Sequence, residues 1–407
     1  MPDRPPIMKR LTLLLLILTA LPIWILDLKI PLDVMRLGWP VLAPMLLISL
    51  SGLLLSWFFC LLIMRFEPQH ARFTHDHDVD GVQKFHDTPV PRVGGLAIFM
   101  GLLFAYFGLT IFLDHISAGR VFLGLILLCA LPVFVGGLWE DLSKQVSIRN
   151  RLLLSFVSSA LGVFVLGAMV HRLDVPLLDG LMGYWTLAFL FTVFAVAGVS
   201  HSLNLIDGYN GLASGFVLIA MAGLSVVSLW LGDFTMLMLC LFVGMSVLGF
   251  MLWNWPMGKI FLGDGGAYFL GFVAATLSVM LLNRNPSVSP WFPLTLLGYP
   301  IFETLFSIYR RKVLHNVRHD LPDDMHMHQL IHRLVVHLRR DLKDPWINHN
   351  SMTALPILLV LMSATAVTVH FYNNTHALMG IFLLGVLAYK LAYRLLCRLH
   401  QQGYLHA

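Results

Sequence analysis

The sequence predicts an all-α membrane protein, a polytopic bundle of about 11–12 transmembrane helices with its working loops on the cytoplasmic side. Two observations carry that reading. Of the 407 residues, 58% are hydrophobic and only 12% are charged, about half the charged fraction of a soluble domain. Apolar stretches of roughly 20 residues, each long enough to cross the hydrocarbon core as a helix, recur along the whole chain. No polar segment is long enough for a separate soluble domain. Residues 41–407 therefore read as one membrane domain, preceded in 1–40 by an additional spanning helix and a short outer loop.

The expected spans are 11–27, 41–64, 93–114, 121–139, 152–170, 184–203, 211–231, 234–254, 262–283, 291–309, 352–373 and 376–396. In the first, Arg4, Lys9 and Arg10 precede an apolar run, the pattern of a signal peptide. No small-x-small cleavage site follows it, so a retained helix is expected. The basic excess, 27 Lys and Arg against 22 Asp and Glu, is not distributed as a nucleic-acid surface. With the N-terminus in the cytoplasm, every Lys and Arg except Lys29, Arg36, Arg120, Arg172 and Arg284 falls on the cytoplasmic side. That asymmetry is the positive-inside signal of a membrane protein, with lipid headgroups as the partner of the basic loops. Cys60, Cys129, Cys240 and Cys397 lie in or beside apolar stretches without CxxC spacing, as small buried hydrophobes do.

The longer polar connections, 65–92, 139–151, 201–210, 255–264 and 310–351, share that cytoplasmic side, so the chemistry is expected there. Polar groups at the ends of spanning helices are costly unless used, and five clusters stand out. In Lys84-Phe-His86-Asp-Thr-Pro89-Val-Pro91-Arg92-Val-Gly94-Gly95, cations and a glycine pair suit a phosphate, although a juxtamembrane turn reads the same way. In Gly136-Gly137-Leu-Trp139-Glu140-Asp141, adjacent carboxylates at a helix end invite Mg²⁺; Lys144, Arg149 and Arg151 follow them. In Asn204-Leu-Ile-Asp207-Gly208-Tyr-Asn210-Gly211, the polar residues are three apart and share one face if the helix continues, unless the glycines break it. In Phe261-Leu-Gly263-Asp264-Gly265-Gly266, the carboxylate reads as a metal or phosphate station; a helix N-cap explains it almost as well, and the two roles can coexist. The loop 310–351 carries Arg310, Arg311 and Lys312, then Asp323-Asp324-Met-His326-Met-His328, a set suited to a diphosphate and a sugar. Zinc is the competing idea for it, weakened by the absence of a Cys partner.

KxHxxPxPRxGG, the acidic pair, NLIDGxxGLA, FxGDxG and the His-rich loop stand in the order seen in polyprenyl-phosphate N-acetylhexosamine-1-phosphate transferases. Over residues 60–340 the chain resembles that family, MraY/WecA-like members of glycosyltransferase family 4, and is nearer the WecA-like branch. The resemblance implies a bacterial inner-membrane enzyme in which undecaprenyl phosphate attacks a UDP-N-acetylhexosamine, UMP leaves and a cell-envelope polysaccharide is begun. It implies Mg²⁺, with Mn²⁺ as a substitute ion, and admits a homodimer. By position, Asp264, Asn204 and Asp141 resemble the metal ligands; Glu140, Asp141 and Asp207 resemble the catalytic carboxylates. Lys84, His86, Arg92, Asn210, Gly263, Arg310, Arg311, His326 and His328 fall where substrate is bound.

Three positions depart from the family pattern. Glu140 stands where many members have Asp, and so does Asn210. The histidine motif is reduced to His326-x-His328, with Gln329 next, which argues against a muramoyl-pentapeptide donor. Two other classes are weighed against the transferase. A secondary transporter would place its ionisable groups near the midplane of broken helices, whereas here they gather at one face; an inactive relative acting as a scaffold is the other.

Overall fold

A computed structural model describes residues 39–74, 90–112, 117–314, 325–338 and 349–402 of the chain. The expected span at 11–27, Lys84 and His86 lie outside the described residues. Among the described residues the fold is helical without strands. In chain order the helices are α1 Trp39–Arg65, α2 Glu67–Thr74, α3 Gly94–Phe112, α4 Ser117–Ser143, α5 Ile148–Leu166, α6 Pro176–Met182, α7 Trp185–Ile206 and α8 Leu212–Trp230. They continue with α9 Phe234–Asn254, α10 Gly263–Arg284, α11 Trp291–Leu296, α12 Gly298–Tyr309, α13 Met327–Leu338, α14 His349–His370 and α15 Thr375–Gln401. A π-helical turn, Arg310–Leu314, continues α12. Among the described residues nine helices are long and apolar enough to cross a membrane: α1, α4, α5, α7, α8, α9, α10, α14 and α15. The apolar part of α3, Gly94–Gly108, is shorter. The chain is thus a multi-pass membrane protein.

One expected span is two helices. Residues 291–309 divide at Leu297, where α11 ends and α12 begins. Pro300 accounts for the break: it has no N–H for the carbonyl four residues back, and its ring clashes with that carbonyl. Pro132 lies inside α4, and beside it Ser158 Oγ of α5 accepts from Val133 N at 3.0 Å.

The bundle is organised around α10. Every residue from Gly263 to Leu282 is buried, and α3, α4, α5, α7, α8 and α9 pack around it. Small residues allow this on every side: a Cβ on Gly137 of α4 would stand 2.6 Å from Gly265 Cα, so the two backbones touch there. A largely apolar helix with no charge between Asp264 and Arg284 is what such a central position demands. Its ends are the two polar ends of the bundle. At the far end Asp233 accepts from Arg284 at 2.7 and 2.8 Å, and Arg172 donates to the carbonyls of Pro286 and Val288. The near end, at Gly263, holds the clusters singled out in the sequence.

Candidate functional site

The site is built on the first turn of α10. Asp141, near the end of α4, accepts from the amide of Asp264 at 2.8 Å through Oδ1 and from that of Gly265 at 2.9 Å through Oδ2. A carboxylate from a neighbouring helix therefore caps α10 and meets its positive dipole end. This corrects the reading of Asp264 as a self-supplied N-cap: the capping acceptor is Asp141, and the Asp264 carboxylate is directed elsewhere. Gly263 makes the approach feasible. Its φ is +77°, and a Cβ there would stand 2.6 Å from Asp141 Oδ2.

Asp264 is met by three donors from three elements. Arg92 Nη2 lies 3.3 Å and Asn204 Nδ2 3.1 Å from Oδ1, and Arg151 Nη1 lies 2.9 Å from Oδ2. Arg92 is aimed by its backbone: Phe261 N donates to Pro91 O and Gly94 N to Phe261 O, each at 2.9 Å, zipping the 91–95 segment to the lead-in of α10. Arg151, on the first turn of α5, also lies 3.8 Å from Glu140. Glu140 Oε2 in turn accepts from Val146 N at 2.7 Å, closing the α4–α5 turn that presents Arg151. Arg151 Nε is buried with no acceptor among the described residues. Two guanidiniums interleaved with the carboxylates of Asp264, Glu140 and Asp141 bring forked donors to the site, suited to an anion with several oxygens.

The helix does not run through all of Asn204, Asp207 and Asn210. α7 ends at Ile206, and Asp207 is its C-cap at φ −78°, ψ 36°. Asn204 stays with Asp264, while the side chain of Asn210 turns away and donates to Ser351 Oγ at 3.1 Å. Burial holds the Asp207 carboxyl well above the usual carboxylate range; the charge of Arg92 opposes this, and those of Asp264 and Asp141 add to it.

The histidines form a second group on α13. The His326 and His328 rings stack, with centroids 5.3 Å apart and planes at 6°. Glu303 of α12, 1% exposed, holds this turn: Oε1 lies 3.0 Å from His326 Nδ1 and accepts from Met327 N at 2.9 Å, while Oε2 accepts from Tyr389 at 3.0 Å. The group reaches the 207–211 loop through Tyr209, whose ring meets His328 edge-on at 5.5 Å. Arg310 is buried with its guanidinium over Tyr393, and Arg311 beside it is half-buried.

The structure thus brings Arg92, Glu140, Asp141, Asn204, Gly263 and Asp264 into one cluster and His326 and His328 into a second. It turns Asn210 and Arg310 onto packing partners. Arg151 and Glu303 are the residues that motif reading passed over. Arg151 was legible as the cation following the acidic pair, and Glu303 as a lone carboxylate in an apolar stretch, which is costly unless used.

Comparison with known proteins identifies the family. Residues 122–282 match the model of glycosyl transferase family 4, a segment holding the Glu140–Asp141, Asn204–Asn210 and Gly263–Gly266 clusters. A Bacillus subtilis protein named a probable undecaprenyl-phosphate N-acetylglucosaminyl 1-phosphate transferase is 33% identical over 254 residues, covering 62% of this chain and 68% of its own length. Proteins of Thermotoga maritima and Escherichia coli, both named undecaprenyl-phosphate alpha-N-acetylglucosaminyl 1-phosphate transferase, are 28% and 25% identical. They cover 65% and 70% of this chain, and 76% and 77% of their own lengths respectively. With that identity and that coverage, the chain belongs to glycosyl transferase family 4.

Proposed function

We propose that this chain transfers an N-acetylhexosamine 1-phosphate from a UDP-sugar to undecaprenyl phosphate, releasing UMP, on the cytoplasmic side of a bacterial inner membrane. One observation carries the reading. Arg92 and Arg151 converge on Asp264 from separate elements at the end of the bundle, and Arg151 keeps a buried Nε–H without an acceptor among the described residues. Such an orphaned donor costs about 1–3 kcal/mol, recovered when a phosphate oxygen meets it. The names of the relatives supply the lipid acceptor and the transferred group, an N-acetylglucosaminyl 1-phosphate.

The donor set fits Mg²⁺. Among the described residues no three His, Cys, Asp or Glu side chains stand together as metal ligands. Asp264, with Asn204 beside it, offers hard oxygens within the cluster, as suits an ion completing its shell with water and phosphate. When bound there, Mg²⁺ would offset the charge that builds on the diphosphate oxygens. The chain's own residues do the rest. Arg92 and Arg151 hold the two anionic substrates close despite their repulsion, the main requirement of phosphoryl transfer. Asp141 fixes the start of α10, and so the direction of the Asp264 carboxylate. Asp207, whose carboxyl burial holds above the usual carboxylate range, is the acceptor for any proton left on the lipid phosphate. His326 and His328 meet the nucleotide sugar.

The test is UMP release by detergent-purified protein given undecaprenyl phosphate and a panel of UDP-N-acetylhexosamines, with and without Mg²⁺, beside Asp264→Asn. Metal-dependent release that the variant loses is expected. Release from no member of the panel would overturn the reading.

A further inference from the structure

We infer that the first turn of α14, Asn350-Ser351-x-Thr353, is a positioning element that holds the 207–211 loop and the histidine helix α13 in register with each other. The inference rests on the reading that these two parts handle the nucleotide sugar.

The three side chains are at most 1% exposed. Buried polar groups at the start of an apolar spanning helix are costly unless bonded; here two of them bond Asn210 and the third bonds α13. Asn350 Oδ1 accepts from the backbone amide of Asn210 at 2.8 Å. Ser351 Oγ accepts from Asn210 Nδ2 at 3.1 Å and donates to Pro256 O at 2.5 Å, while the Ser351 carbonyl accepts from Trp255 Nε1 at 2.9 Å. This last pair ties in the segment that leads to Gly263. Thr353 Oγ1 donates its single proton to His349 O at 2.9 Å, so its bond with His332 at 2.8 Å is one in which His332 Nδ1–H donates. That bond selects the His332 tautomer and fixes the face α13 presents.

The two supported parts also touch each other. The Tyr209 ring lies between His328 and His332, at centroid distances of 5.5 and 5.1 Å. A displacement of either part therefore moves the other, and one helical turn sets both. The arrangement also accounts for an asparagine at position 210. With the Ser351 proton committed to Pro256, residue 210 must donate, and a carboxylate has no proton to give.

The experiment uses the full chain in detergent with Thr353→Val, which removes the acceptor at nearly constant shape, Thr353→Ser, which keeps it, and Ser351→Ala. With UDP-N-acetylglucosamine and undecaprenyl phosphate as substrates, Thr353→Val and Ser351→Ala should raise KM for the nucleotide sugar on the order of 10-fold, the scale of one lost hydrogen bond. KM for the lipid should stay within about twofold of wild type, and Thr353→Ser should restore the wild-type value. Hydrogen exchange without substrate should quicken at residues 327–332 in Thr353→Val and at 209–212 in Ser351→Ala. Equal losses for both substrates, a Thr353→Ser variant as impaired as Thr353→Val, or unchanged exchange at both segments would overturn the inference. The exchange measurement decides it even if the wild type releases UMP from no sugar nucleotide, an outcome that would sink the proposed function alone.

Discussion

Asp141→Asn separates two roles that a carboxylate at this position can play. Both oxygens of Asp141 accept amide hydrogens at the start of α10, at 2.8 and 2.9 Å. Asparagine keeps one acceptor and turns an –NH₂ toward the other amide. One hydrogen bond to a charged group is lost, about 1.5–3 kcal/mol, and two donors are left facing each other at a residue only 4% exposed. Removing the negative charge from a helix N-terminus costs a further 0.3–1 kcal/mol or so. The loss is then about 2–4 kcal/mol. Unfolding entropy near 2 cal/mol/K per residue makes this about 1 °C per kcal/mol for 407 residues. The apparent melting temperature in detergent should therefore fall by roughly 2–4 °C. Amide exchange should quicken at residues 264–268, and UMP release should fall with it, because the Asp264 carboxylate is no longer held. A group acting only on substrate would lose activity with neither change. An asparagine variant that melts with the wild type and exchanges as slowly at those amides would refute the capping argument.

Three further outcomes are expected. Asn210→Asp should destabilise by about 1–3 kcal/mol, because either the new carboxylate or Pro256 O is left without a donor; a melting temperature at or above that of wild type would contradict this. Burial, reinforced by the charges of His349 and Arg333, pushes His332 down to about 4. The fold therefore favours the neutral ring, and its contribution is complete above the ordinary value near 6.5 and declines as pH falls toward 4, by about 2 kcal/mol at pH 5. His332→Gln should flatten the fall in melting temperature between pH 7.5 and 5, and parallel slopes for the two proteins would count against it. Chelation of divalent ions should abolish UMP release, and added Mg²⁺ should restore it in the wild type but not in Asp264→Asn; full activity in excess chelator would remove the ion from the reaction.

The membrane class was legible in the sequence, because the need to bury backbone polar groups in helices and to match bilayer thickness is written in single residues and short runs. The order of the spans from α1 to α10 follows from hydropathy alone. Backbones touch at glycines, as at Gly137 and Gly265. Hydropathy did not show the break at Leu297, since the residues on both sides of Pro300 are equally apolar. Partnership is what only the tertiary structure decided. Whether Asp264 caps its own helix or faces the cluster depends on Asp141, 123 residues earlier in the chain. Whether Asn210 faces substrate or Ser351 depends on a helix 140 residues later. Glu303 shows why: to hydropathy it is an isolated defect in an apolar run, and its meaning comes from His326, Met327 and Tyr389 closing around it. A sequence records which groups need a hydrogen-bond partner; the packed bundle assigns the partner, because that choice follows distance in space and not along the chain.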